Sequence, residues 1–324
     1  MKRRVLQPVL VAVFAAAAAI AAAQTPYPSK PVRLVVPYPP GGGNDTLARI
    51  FGQKLGEALG QQVVVENRPG AGTIIGTAFV AKATPDGYTL LLSSIATHAF
   101  SPHLYAKPGY DAFKDFTPIT LLVVAPTLLV VNPALPVSSL KELIALAKRR
   151  PAQIEFATAG KGSASHMLGE TFKSVTGINI VEIPYKGGGP SIIGVITGEA
   201  QMLVDPAASA LPHVKSGRLK PLAVARSSRL TDLPNVPTFA EAGLPQYTAS
   251  AWYSMHAPAR TPQDIVTRLN RELVRIVHLR DVQEKLKDLG SDGVGNTPEQ
   301  FAQFVQSEHT KYGKLISEMG VKPE

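Results

Sequence analysis

The chain has 324 residues, no cysteine, and 33 Lys plus Arg against 24 Asp plus Glu, a formal charge of +9. Without cysteine it has no disulfide, no thiol catalysis, no sulfur-ligated zinc and no lipid-bearing N-terminal Cys. Setting aside Lys2, Arg3 and Arg4 leaves 30 against 24, or +6, dispersed without a basic block or interleaved aromatics. No nucleic-acid partner is expected, and the charge supports only a weak long-range attraction for acidic solutes.

Lys2, Arg3 and Arg4 form a basic n-region, Val5 to Ile20 an apolar stretch, and Ala21-Ala22-Ala23 an A-x-A cleavage site before Gln24. Residues 1–23 therefore read as a signal peptide cleaved near Ala23, and no later apolar run is long enough to span a bilayer. A freely diffusing protein of an oxidising compartment, such as a bacterial periplasm, fits this pattern.

The first element is an apolar strand, Val32 to Val36, running into Pro37-Tyr38-Pro39-Pro40-Gly41-Gly42-Gly43-Asn44-Asp45. Three glycines take positive φ freely, and Asn44 or Asp45 is expected to open a helix through Leu47, Ile50 and Leu55. Such a turn leaves N–H groups and the positive end of a helix dipole facing outward, a site for a carboxylate or phosphate. A strand Val63 to Glu66, a helix Thr73 to Ala83 and a strand Tyr88 to Leu92 follow.

A second series has strands at Leu128 to Val131, Ile154 to Ala157, Ile180 to Ile183 and Met202 to Val204. Helices are predicted after Ser139, which has capping-box spacing to Glu142, from about Ser163, and near Pro190 to Thr197. The alternation argues α/β with largely parallel sheets, and 301 mature residues (24–324) suggest two lobes with ligand loops at strand ends. The tail turns helical: Thr261-Pro262-Gln263-Asp264 starts a helix with Ile265, Leu269, Leu273 and Ile276 on one face, and Thr297-Pro298-Glu299-Gln300 starts the last. Trp252 and Tyr253 are expected to pack under these helices.

Gly70-Ala71-Gly72-Thr73-Ile74-Ile75-Gly76 is G-x-G-x-x-x-G and not the dinucleotide fingerprint. His166 and Glu170 lie one helical turn apart, but no third residue is spaced to complete a metal site. No cofactor is expected.

The order of Pro37-Tyr38-Pro39-Pro40-Gly41-Gly42, Glu66-Asn67-Arg68-Pro69-Gly70-Ala71-Gly72, Pro85-Asp86-Gly87-Tyr88-Thr89, Gly162-Ser163-x-x-His166, Pro184-Tyr185-Lys186-Gly187 and Leu233-Pro234-x-Val236-Pro237-Thr238-x-x-Glu241 resembles the Bug family, periplasmic receptors of tripartite tricarboxylate transporters. The resemblance runs from about Tyr27 to Gly320. It implies a monomeric two-lobe Venus-flytrap periplasmic-binding-protein fold, type II-like, with residues 24–125 and 247–324 as a discontinuous lobe 1 and 126–246 as lobe 2. A carboxylated metabolite would lie in the cleft: a di- or tricarboxylate, an amino acid or an aromatic acid. It would be delivered to integral-membrane permease subunits.

Carried onto this chain, the resemblance implies ligand contacts from Gly42, Gly43, Asp45, Thr73, Ser93, Ser94 and His98 in lobe 1. Those from lobe 2 are Thr158, Gly160, Ser163, Ser165, His166, Tyr185, Lys186, Gly187 and Asp205. Asp45 opposes a carboxylate by charge, so helix capping competes with a contact to water or a ligand amine; Ser163 and Ser165 are divided between capping and binding. Asp205 could orient a loop or receive an amine. Thr73-Ile74 stands where the family usually has Gly-Asn, which implies a bulkier or more apolar acid. Two rival readings are a secreted serine hydrolase using Ser163 or Ser165 with His166, and a binding protein serving a signalling membrane protein.

Overall fold

Strand β1 (Val32–Val36) buries every side chain but that of Arg33, as expected where a parallel sheet is covered on both faces. The structure is a computed structural model describing residues 27–321 and residue 323; the signal segment 1–23 lies outside the described residues. Helix α1 (Gly43–Leu59), β2 (Val63–Asn67), α2 (Ile74–Ala81), β3 (Thr89–Ser94), the short α3 (Ser101–Leu104) and the long β4 (Phe116–Val131) follow. Next come α4 (Leu140–Arg149), β5 (Glu155–Thr158), α5 (Ala164–Thr176), β6 (Val181–Pro184), α6 (Gly188–Thr197), β7 (Met202–Pro206), α7 (Ala207–Lys215) and β8 (Lys220–Ala225). The chain ends with β9 (Ser250–Pro258), α8 (Gln263–Val277), α9 (Arg280–Asp288), β10 (Asp292–Gly293) and α10 (Pro298–Glu318).

Two sheets share β4. In the first the order is β2-β1-β3-β9-β4, with β1 parallel to β2 and β3, and β9 antiparallel to β3 and β4. In the second, β7 and β8 flank the end of β4 in antiparallel fashion and β5 and β6 extend the sheet in parallel. The exchange is abrupt: Pro126 pairs with Ser250 of β9, and Thr127 pairs with Pro206 of β7 and Ala225 of β8. A proline cannot donate to a ladder, so Pro126 suits the point where a strand changes partners.

Each sheet has its own core. Phe51, Phe100, Trp252, Leu269, Phe301 and Tyr312 pack helices α1, α8 and α10 on the first. On the second, Phe156, Phe172, Phe239 and Tyr247 fill one face, and Leu128, Val130, Leu203, Leu211 and Val224 the other. Trp252 lies under the tail as expected, its ring edge-on to Phe304 at 5.6 Å and its Nε1 donating to Glu308 at 3.2 Å.

Several caps follow the sequence reading. Ser139 Oγ accepts from Glu142 N, and Thr297 with Gln300 completes a capping box. Thr261 does not cap: its hydroxyl donates to Pro258 O at 2.8 Å, and Pro262 precedes α8. Helix α1 starts at Gly43 behind Gly42, so neither Asn44 nor Asp45 is its N-cap.

Beneath the first sheet His98 and His256 stack at 4.2 Å and 10°, enclosed by Phe116 and Phe301. Burial, reinforced by His309, pushes His98 down to about 3, and burial followed by His98 holds His256 well below its ordinary range. The folded state therefore cannot take up protons that the unfolded state binds near pH 6.5, and stability falls as pH drops below that value. Relative to His98→Asn, the native chain should lose about 2 kcal/mol between pH 7 and pH 5. Urea unfolding of both proteins at the two pH values measures this; a pH-independent difference would refute it.

Candidate functional site

The turn after β1 is built from inside by Asp45. The Asp45 carboxylate accepts from Gly41 N at 3.1 Å, Arg49 Nε at 3.0 Å and Asn67 Nδ2 at 3.1 Å, and is 5% exposed. Burial alone would raise its pKa, but the bonds from Arg49, Gly41 and Asn67 hold it below the usual carboxylate range. With both oxygens engaged, Asp45 organises the loop. The N–H groups opening α1 have no helical acceptor behind them.

A second turn of the same lobe, Pro69 to Thr73, is left-handed over three successive residues: φ is +47° at Ala71, +56° at Gly72 and +87° at Thr73. A β-branched residue there is strained, and glycine would not be. Thr73 Oγ1 lies 3.3 Å from Ser101 Oγ.

The opposing turn follows β5. Thr158 Oγ1 donates to Glu182 at 2.7 Å and accepts from Gly160 N, and Ser165 Oγ accepts from Ala159 N at 2.9 Å. Ser163 caps α5, accepting His166 N at 3.2 Å. His166 Nδ1 faces Gly162 N at 3.4 Å and Nε2 faces Glu182 at 3.7 Å. Burial lowers the His166 pKa against the pull of Glu182 and Glu170. No hydrogen bond joins a His166 ring nitrogen to Ser163 or Ser165 among the described residues, so the nucleophile and base of a hydrolase are not assembled. Glu170 is engaged by Lys173 at 2.8 Å, and no group of three metal-ligating side chains forms among the described residues.

These turns face one another. A cavity of about 510 Å³ lies between them, lined by Tyr38, Pro39, Pro69 to Thr73, Tyr105, Ala159 to Lys161, Ser163 and Tyr185 to Gly187, with Pro37 at its edge. Beside it the lobes approach so closely that a Cβ on Gly43 would stand 2.7 Å from Ser209 Oγ. One on Gly72 would stand 2.6 Å from Lys161 O, and one on Gly187 2.5 Å from Pro39 Cγ. Helices α5 and α6 begin at cavity-lining caps, Ser163 and Gly187, so two positive dipole ends lie at the cavity, and α1 begins beside it.

Of the expected site residues, Thr73, Gly160, Ser163, Tyr185, Lys186 and Gly187 line this cavity. Ser93 and His98 sit in the core instead: Ser93 Oγ meets His256 Nδ1 at 2.6 Å and Ser254 Oγ at 2.7 Å, and His98 Nδ1 meets Thr97 Oγ1 at 2.8 Å. Ser94 reaches the cavity only through Tyr38, whose hydroxyl it meets at 2.6 Å. Thr158, Ser165 and His166 shape the second turn from behind. Gly42 and Gly43 open α1 beside the cavity, Gly43 against Ser209.

Asp205, at the end of β7, is 5% exposed; burial raises its carboxyl to about 7 despite a hydrogen bond with Ser209, and its Oδ2 has no protein partner. Asn44 Oδ1 and Thr127 Oγ1, on the elements where the lobes meet, are likewise buried without a protein partner. The sequence reading missed Tyr38, Tyr105, Lys161 and Ser209. Tyr38 lay within a motif already read as backbone, whereas Tyr105 and Ser209 carry no local signal because only the tertiary approach brings them in.

The chain matches the model of the tripartite tricarboxylate transporter family receptor over residues 47–321. It belongs to that family. Protein BugT of Bordetella pertussis is 39% identical over 316 residues, 97% of each chain. The solved periplasmic binding protein BugD is 34% identical with a TM-score of 0.88, covering 92% of this chain and all of the other. Rpa4515 of R. palustris, solved with adipate, is 35% identical with a TM-score of 0.89 over the same shares. MatC of Rhodopseudomonas palustris, solved with bound malate, is 33% identical with a TM-score of 0.86, covering 90% of this chain and all of that one. The fold is accordingly the two-lobe solute-binding fold. This family receptor is a solute-binding protein and not an enzyme, which removes the hydrolase reading, and no described helix is long and apolar enough to cross a membrane.

A buried acid raised to about 7 destabilises the fold as pH climbs from the unfolded value toward the folded one, because the unfolded chain ionises first. Between pH 5 and pH 8 the native chain should lose roughly 3 kcal/mol relative to Asp205→Asn. Denaturant unfolding of the pair at both pH values tests this, and a constant difference would show that Asp205 ionises normally.

Proposed function

We propose that this receptor is exported to the periplasm, captures a small carboxylated solute between its lobes, and delivers it to integral-membrane subunits of a tripartite tricarboxylate-type permease. The single observation that carries the reading is the convergence of glycine turns from opposite lobes on one cavity whose lining contains no Asp or Glu. The amides of the Gly70–Thr73 turn from lobe 1 and of the α5 and α6 starts from lobe 2 are the donors, with α1 opening beside them. Adipate in Rpa4515 and malate in MatC support a carboxylate guest, and the basic segment and alanine-rich run at the start of the sequence support export.

Lobe 1 comprises 27–125 with 250–321 and lobe 2 comprises 126–249, because Tyr247 and Ala249 pack in the second core, with a hinge where β4 changes sheets at Pro126–Thr127 and where the chain returns into β9. Hydrogen bonds to a charged group contribute roughly 1.5–3 kcal/mol each. Three or four, less the cost of association, reach the ~8 kcal/mol of a micromolar complex.

The guest stabilises the fold in proportion to its occupancy, by about 2.7 kcal/mol at 100 times its dissociation constant. A thermal-shift screen of organic acids and their primary amides, followed by calorimetry on the mature chain, should find the acids bound and the amides at least ten-fold weaker. Equal affinity for an acid and its amide would reject the anion-binding turns.

A further inference from the structure

The polar side chains around the cavity are already committed within the protein. Tyr38 Oη bonds Ser94 Oγ at 2.6 Å, Tyr185 Oη donates to Glu199 at 3.0 Å, and Tyr105 Oη reaches across the cleft to Lys161 O at 3.4 Å. Thr73 Oγ1 is turned to Ser101, and Ser163 Oγ serves the α5 amide and Ser165. With their hydroxyls directed elsewhere, the three tyrosines offer the cavity chiefly their rings. Pro37, Pro39 and Pro69 add apolar surface between them. The Tyr185 ring is fixed by lying directly over Gly194 of α6, where any Cβ would collide with it.

The same lining contains no arginine; its cations are Lys161 and the exposed Lys186. Polar recognition thus concentrates at the helix starts, and the rest of the chamber is aromatic and aliphatic. The cavity, about 510 Å³, is partly open to solvent, so its lining and not its volume bears on the shape of the guest. An apolar guest segment against tyrosine faces gains both from desolvation and from ring contact.

We infer that the solute is a carboxylate with an apolar, aryl-sized body: its carboxylate lies on the amides at the α5 and α6 starts and its ring between Tyr38, Tyr105 and Tyr185. The inference rests on the carboxylate-receptor reading above. It places specificity in rings whose hydroxyls the protein has taken, where a receptor for a compact dicarboxylate would need donors free at both ends of its guest.

Calorimetry of the mature protein with phenylacetate and succinate tests it. Phenylacetate should bind at least ten-fold more tightly. Tyr185→Ala should reduce that preference at least three-fold and Tyr185→Phe should retain it, because the ring and not the hydroxyl makes the contact. Succinate binding as tightly as phenylacetate, or a preference untouched by Tyr185→Ala, overturns the aryl body while leaving the receptor reading intact. If neither these acids nor any other carboxylate binds, the receptor reading fails and this inference fails with it.

Discussion

Everything about the cleft depends on how closely two backbones approach one another. Gly72 against Lys161 and Gly187 against Pro39 leave no room for a Cβ, so main chain of both lobes borders one small cavity, and Gly43 meets Ser209 beside it. Side chains long enough to span the gap would lose rotamer freedom on binding, whereas amides held by a helix start are already oriented. Glycine here serves approach more than flexibility, and at Gly72 and Gly187, with φ of +56° and +115°, it serves both.

Amides stay available only if the loop's own side chains do not consume them, and the site manages this in two ways. Asp45 takes Gly41 N, just ahead of the helix, and leaves the α1 first turn without a side-chain cap. Across the cleft, Thr158, Ser165 and Ser163 take Gly160 N, Ala159 N and His166 N, which fixes the turn's shape. The carboxylate nearest the anion turn is thus neutralised by three donors, and the buried one at Asp205 is held near its neutral form by burial. Neither opposes an anionic guest as an exposed carboxylate would.

The parts legible in the sequence were those governed by local rules. Strand β1, the parallel ladder around it, the Ser139 and Thr297 caps and the glycine turns each follow from a few adjacent residues. Strand β4 was read only over its last four residues, since Pro118 and Pro126 interrupt the apolar run and bulges near residues 119 and 122 break its alternation. Helix α7 escaped because Pro206 stands at its N-cap and Pro212 lies inside it. In the site, local motifs identified the backbone donors but not the walls: Tyr105 is separated by 56 residues from the carbonyl it contacts. Ser93 and His98 looked like ligand residues because they follow a strand end, yet β9 covers that end and takes their polar atoms into the core.

The lobes already meet through apolar contact, with Met167 and Ala208 packed into the first core and Gly290 lying against Leu211, so the polar links between them are the smaller part. Besides the tyrosine contact at 3.4 Å, Arg226 pairs with Asp292 at 3.1 Å and Lys215 with Asp288 at 3.6 Å, all partly exposed. Such pairs contribute about 0–1 kcal/mol each and are screened by salt. A guest touching amides of both lobes adds several charge-assisted bonds that exist only in the closed form, and only that differential shifts the population. On the proposed reading, an acid gripped by one lobe alone, however tightly, would not bias the lobes toward each other, and recognition and closure would be one event.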